Sequence, residues 1–253
     1  IEEFEQCLAD VAALDSTIIP YAVSTKDNTA AGDFAPWLWT FGGSIFDESG
    51  EVAINNENAV KCVEWYQALL ANNYIRMDMS RFDARQLFAQ GKVAFYDDAV
   101  VAKGTAVSNG VASDQVANVC SAIPRPVRSA GDQPQSTMWG QMLVVFEKSA
   151  NKEQASDFLK YLTDEEVAMK YFEQNGMPPA KLELAGKPEV QNDAYVKGFL
   201  SATETARLEE TALMANGNEI KTIITEELQA ALLGSKDAQA AMDDAASRIQ
   251  ASM

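Results

Sequence analysis

Apolar residues recur at helical spacing in several stretches of the chain. Phe4, Leu8 and Val11 fall at i, i+4 and i+7, which predicts an amphipathic helix over residues 2–14. The run NENAVKCVEWYQALLANN sets Ala59, Cys62, Val63, Tyr66 and Leu70 on one stripe and predicts a second helix. Ala155, Phe158, Leu159 and Leu162 face inward on a third, and Ala238, Met242, Ala245 and Ile249 form a narrow stripe near the C-terminus. Between these lie short runs rich in β-branched and aromatic residues: TIIPYAVS, KVAFY, QVANVCSAIP and TMWGQMLVVF all read as strands, the last interrupted by Gly140. DESGEVAINN reads as a turn with a short edge strand. FDARQLFAQG predicts a helix with Gly91 just past its end, and DDAVVAKGTAVSNG one that begins at Asp97-Asp98. Asn151 with Gln154, and Thr163 with Glu166, stand at capping-box spacing. From Gln191 to Met253 the pattern predicts three helices and no strand. The alternation, closing on helices, places the chain in the α/β class.

One stretch supports two readings. FAPWLWTFGGSIF, Phe34 to Phe46, is an aromatic helix terminated by Gly42 and Gly43. It reads either as a core helix with an ordinary glycine stop or as the aromatic wall of a small-molecule site. Trp37 and Trp39, taken singly on a helix, read as core. Trp139 sits beside a glycine after the polar loop RPVRSAGDQPQS, where packing and an exposed site are equally open. An indole face suits the apolar face of a sugar ring, and nearby Asp, Gln and backbone groups suit its hydroxyls.

Composition narrows the chemistry. With 37 acidic and 20 basic residues the net charge is −17, which opposes nucleic acid and anionic membrane surfaces. The chain has no histidine, which removes imidazole bases, Ser-His and Cys-His pairs and His-ligated zinc. Cys7, Cys62 and Cys120 are far apart and read as free thiols. No Gly-rich phosphate loop, G-x-S-x-G or S-x-x-K occurs. Asp97 and Asp98 follow a strand without a partner carboxylate, so they read as helix-capping or ligand-bonding groups rather than catalytic ones. Neither a metal nor a cofactor is expected, and the chain is read as a non-enzyme. Residues 1–253 contain no apolar run of membrane-spanning length and begin without a targeting signal.

Four segments in succession carry a resemblance: WLWTFGGSIFDESGEVAINNENAVKCVEWYQALL, ARQLFAQGKVAFYDD, MWGQMLVVFEKSANKEQASDFLKYLTDEEVAMKYF and NGMPPA. Together they resemble the extracellular solute-binding proteins of bacterial ABC importers, of the carbohydrate type that includes maltose-binding protein, and the likeness runs the whole length. It implies a type II two-lobe clamshell, with solute held between the lobes and delivered to a membrane permease outside the cytoplasm. The protein would be free in a periplasm or lipid-anchored at the cell surface. The resemblance also implies that residues 1–138 are the main part of the second lobe, that 139–190 cross to the first, and that 191–253 return as helices. The parent chain's N-terminal lobe would then be a missing partner, and the isolated chain would bind weakly or self-associate. The site residues implied are Trp39, Phe41, Gly42 and Gly43, Asp97 and Asp98, and Trp139, Gly140 and Gln141, with Trp37 and Leu38 packing inward. Many members have a sugar-stacking tryptophan after the GKVAF strand; here Asp97, Asp98 and Val101 occupy that place. A carbohydrate is the expected solute, with a polyamine or other cation as the alternative and glycerol phosphate or a glycoside-acting enzyme further off.

Overall fold

The computed structural model describes residues 1–138, 140 and 142–253. In chain order its elements are α1 (Glu2–Leu14), β1 (Ile19–Ala22), α2 (Thr29–Thr40), α3 (Glu57–Ala71), α4 (Arg81–Ala89), β2 (Val93–Tyr96), α5 (Ala102–Ser108), α6 (Val116–Val119) and β3 (Ser136–Thr137). They continue with α7 (Lys152–Leu162), α8 (Glu165–Asn175), α9 (Leu182–Ala185), α10 (Pro188–Gln191), α11 (Lys197–Ala202), β4 (Ala206–Arg207), α12 (Gly217–Leu232) and α13 (Ala238–Ser252). The chain divides into two compact units. Unit 1 holds Ile1–Asp98, Arg125–Thr137 and Thr205–Met253; unit 2 holds Ala99–Pro124 and Met138–Glu204. Residues 99–124 thus group with residues 138–204.

Unit 1 is built around the parallel pair β1–β2, with Ile19 opposite Val93 and Tyr21 opposite Phe95. A second parallel pair, β3–β4, sets Thr137 opposite Arg207. Helices α1, α2, α3, α12 and α13 share one core that includes Phe4, Leu8, Trp37, Leu38, Tyr66, Ile220, Leu228, Met242 and Ile249. The stripe of α13 is fully inside: Ala238, Met242, Ala245 and Ile249 are all buried. In α3 the Asn56 side chain caps the helix by accepting from Ala59 N at 2.9 Å, and Ala59, Cys62, Val63 and Tyr66 are buried while Leu70 packs at the margin. Helix α4 opens on a complete capping box between Ser80 and Asp83, and Gly91 takes the left-handed conformation (φ 70°) just beyond it.

Unit 2 departs further from the sequence pattern. QVANVCSAIP contains the helix α6 and no strand; Val116 is buried, whereas Val119 is exposed. Among the described residues of TMWGQMLVVF only Thr137 lies in a strand, and Met142, Leu143, Val144 and Phe146 are exposed. No residue of α7 is buried: of the face expected inward, Ala155, Leu159 and Leu162 are half-buried and Phe158 is exposed. The predicted caps shift too. Asn151 precedes α7 without a side-chain cap, and Asp164 rather than Thr163 caps α8, accepting from Glu165 N at 2.7 Å. Gly176 ends α8 in the left-handed region. Tyr195 joins α5 to this part of the unit, its hydroxyl accepting from Lys103 N at 2.9 Å and donating to Val100 O at 2.7 Å. Of the three thiols, all free, Cys62 and Cys120 are buried and Cys7 is exposed.

Candidate functional site

In open α/β structures ligands gather beyond the carboxyl ends of parallel strands. In unit 1 those ends are Val23-Ser24-Thr25 after β1 and Asp97-Asp98 after β2. Both aspartates precede α5 by several residues, so neither starts a helix as the pattern suggested. Each is held by an arginine. Arg125 Nη2 donates to Asp97 Oδ1 at 2.5 Å. Arg85 grips Asp98 with two bonds, Nε to Oδ2 at 2.7 Å and Nη2 to Oδ1 at 2.6 Å, a bidentate geometry that fixes both groups.

Asp97 also accepts from the Tyr21 hydroxyl, and Trp37 Nε1 donates to that hydroxyl at 2.7 Å. Burial and the adjacent Asp97 carboxylate push the Tyr21 phenol well above its ordinary range. Arg125 lies 4.7 Å above the Trp37 ring centre; burial works against its charge, but Asp97 prevails and raises its pKa. A third ion pair joins Arg81 on α4 to Asp33 on α2, Arg81 Nε donating to Asp33 Oδ1 at 3.1 Å. The other Asp33 oxygen accepts from Ser24 N at 3.0 Å. Burial pushes the Asp33 carboxyl up to about 6 despite Arg81.

Most of the FAPWLWTFGG stretch is buried in unit 1. Trp37 and Leu38 are buried, as expected, and so are Trp39 at 5% and Phe41 at 8% exposure. Their rings are covered by arginines. The Arg207 guanidinium lies 3.9 Å from the Trp39 ring centre, and that of Arg128 lies 5.2 Å from Phe41. Trp39 Nε1 donates to Glu210 Oε1 at 2.8 Å, and Glu210 Oε2 accepts from Ile45 N and Phe46 N at 2.7 and 2.8 Å. Gly42 is left-handed (φ 83°). A β-carbon on Gly43 would stand 2.4 Å from Leu38 Cδ1, so close packing demands that glycine.

Gly140 is exposed, with open space where a side chain would sit. Trp139 and Gln141 lie outside the described residues. The structure thus brings Asp97 and Asp98 to the strand ends, with Trp39, Phe41, Gly42 and Gly43 on and after α2. Sequence reasoning missed Arg81, Arg85, Arg125, Arg207 and Glu210, whose partners are remote in the chain. It also missed Phe82, a ring 66% exposed at the start of α4, with Arg85 5.4 Å from its centre. Phe82 and Arg85, three positions apart on one predicted helix, were the available signal.

Residues 2–198 match the family model described as bacterial extracellular solute-binding protein. The chain belongs to that family. A Brucella abortus protein named as a binding protein is 23% identical over 99% of this chain and 60% of its own length. The maltodextrin-binding protein of Bacillus subtilis is 23% identical over 91% of this chain and 57% of its own. The chain therefore spans about 60% of the length of the curated relatives it matches. Among solved structures, an ABC transporter solute-binding protein of Thermotoga lettingae bound with α-D-tagatose has a TM-score of 0.85 at 21% identity, covering 98% of this chain and 63% of that one. The likeness establishes the fold as that of the type II solute-binding proteins, two-lobed in the intact relatives. Among the described residues no helix is long and apolar enough to cross a membrane.

Proposed function

We propose that this chain is the solute-capturing part of a bacterial ABC importer, that it acts outside the cytoplasmic membrane, and that its solute is an uncharged sugar or sugar derivative. Family membership supports the transport role, and the maltodextrin- and tagatose-binding relatives support the solute class. The observation that carries the sugar reading is the pairing of both acids at the strand ends. Asp97 and Asp98 are matched by Arg125 and Arg85, so this end of unit 1 offers no surplus negative charge to a polyamine and no surplus positive charge to a phosphate. Phe82 supplies an open ring face, in place of the tryptophan absent after β2. The protein captures its solute without altering it, and a permease is the partner that receives it.

The test is thermal-shift titration of the full natural chain with maltotriose, ribitol, spermidine and glycerol 3-phosphate. A ligand that binds only the native state raises the melting temperature. A rise with maltotriose or ribitol, lost in Phe82→Ala, supports the reading; a rise confined to spermidine or glycerol phosphate overturns it.

A further inference from the structure

Arg81 is the first residue of α4. A helix presents its positive end there, so a guanidinium at that position depends on a carboxylate partner. The partner is Asp33 of α2, which is 2% exposed. Arg81 Nε donates to Asp33 Oδ1 at 3.1 Å, and Asp33 Oδ2 accepts from Ser24 N at 3.0 Å. One buried acid thus ties the start of α4 to α2 and to the turn after β1.

A second carboxylate stands close by. Glu209 pairs with Lys221 of α12 through Oε2, and its Oε1 takes no bond among the described residues. Arg81 Nη2 and Glu209 Oε1 each lie 3.5 Å from the point a β-carbon on residue 32 would take, so both border the same bare stretch of α2. Among the described residues Arg81 is nevertheless ion-paired with Asp33 alone. The Arg81 and Glu209 side chains are 25% and 20% exposed, which leaves both free to turn.

The surroundings make Asp33 the member that titrates. It is faced by Arg81 from α4, by Asp97 with its partner Arg125, and by the phenols of Tyr21 on β1 and Tyr66 on α3. Glu209 and Lys221 flank it beside Gly32. Burial, aided by the Asp97 charge, raises the Asp33 carboxyl to about 6 against the pull of Arg81. Once protonated, Asp33 still accepts from Ser24 N, but it no longer balances the Arg81 charge.

We propose that Arg81 is a proton-operated switch: it holds Asp33 while that acid is ionised and passes to Glu209 Oε1 when Asp33 takes up a proton, so that α4 exchanges its tie to α2 for one to the segment before α12. Phe82 follows Arg81 in the same turn, so the exchange also resets that exposed ring; only this consequence rests on the sugar-binding reading above.

Heteronuclear NMR of the arginine side chains in the full natural chain, from about pH 7.5 to about pH 4.5, tests the switch without any solute. The Arg81 Nε–H signal, assigned by its loss in Arg81→Lys, is expected to move between two positions with a midpoint at about pH 6. Glu209→Gln should keep the neutral-pH position and abolish the acid one. Asp33→Asn should show the acid position throughout. A signal that stays in place across the range, or an acid position shared by wild type and Glu209→Gln, overturns the switch. If Asp33→Asn fails to fold, the Glu209→Gln comparison decides alone. Because no solute enters the experiment, its failure leaves the sugar reading standing, and a failure of sugar binding leaves the switch standing.

Discussion

Glu210 is tied to Trp39 from 171 residues away, its carboxylate accepting the indole N–H at 2.8 Å. The same carboxylate holds the backbone N–H groups of Ile45 and Phe46, so one side chain fixes both the ring and the chain emerging from Gly42-Gly43. Glu210→Ala leaves three donors without their acceptor and is expected to destabilise unit 1 by about 3 kcal/mol. Glu210→Gln, which keeps one acceptor oxygen, should lose less. Urea unfolding followed by tryptophan fluorescence measures both, and equal midpoints for Ala and wild type would exclude this role.

The Arg125–Asp97 pair suits a double-mutant cycle. Arg125→Met strips Asp97 of its cation, and Asp97→Asn leaves a buried guanidinium above Trp37. Each single change should cost about 3 kcal/mol, because one charge is left uncompensated. The double variant should cost at least about 1 kcal/mol less than the two combined. Additive losses would show that the two residues act separately.

Asp33 gives a pH signature. Its carboxyl is raised to about 6 from an ordinary 3.8, so between those values the folded state binds more protons than the unfolded one. Stability from this group is therefore greatest on the acid side and is lost as pH rises from about 4 to 6, by on the order of 2–3 kcal/mol at most. Asp33→Asn removes that slope. Urea midpoints at pH 4.5 and 7 should show wild type losing ground to the variant as pH rises. A constant difference would mean that Asp33 titrates normally, or outside this window.

Met142, Leu143, Val144 and Phe146 are exposed in succession, and apolar runs of this kind draw chains together. The 253-residue chain should self-associate at micromolar concentration, and Leu143→Lys with Val144→Lys should suppress it. Sedimentation velocity decides. A monomer in both cases would show that this segment drives no association.

Which parts could be read from sequence depended on how far apart the interacting residues are. The stripes of α3 and α13 are local patterns facing a large core, and each matched its burial. In α6 the valines suggested a strand, yet only Val116 finds a core position, and a single inward residue suits one helical turn as well as a strand. Residues 142–146 have the composition of a strand, but a strand exists only with a neighbour, which no local pattern reveals. At α8, adjacent Thr163 and Asp164 competed to cap, and the carboxylate won. Among the candidate site residues, Asp97 and Asp98 were visible from their place after a strand. Their arginines, 28 and 13 positions away, were not, and those arginines change two acids from a lure for cations into neutral pairs.

The arrangement of unit 1 also sets a timetable for synthesis. Its core includes Phe4 from α1 and Met242 and Ile249 from α13, while unit 2 is encoded wholly between them. As the chain emerges from the ribosome, α1 to α3 must wait with apolar faces open until α13 arrives. Unit 1 therefore closes only after α13 has been made, later in synthesis than every segment of unit 2.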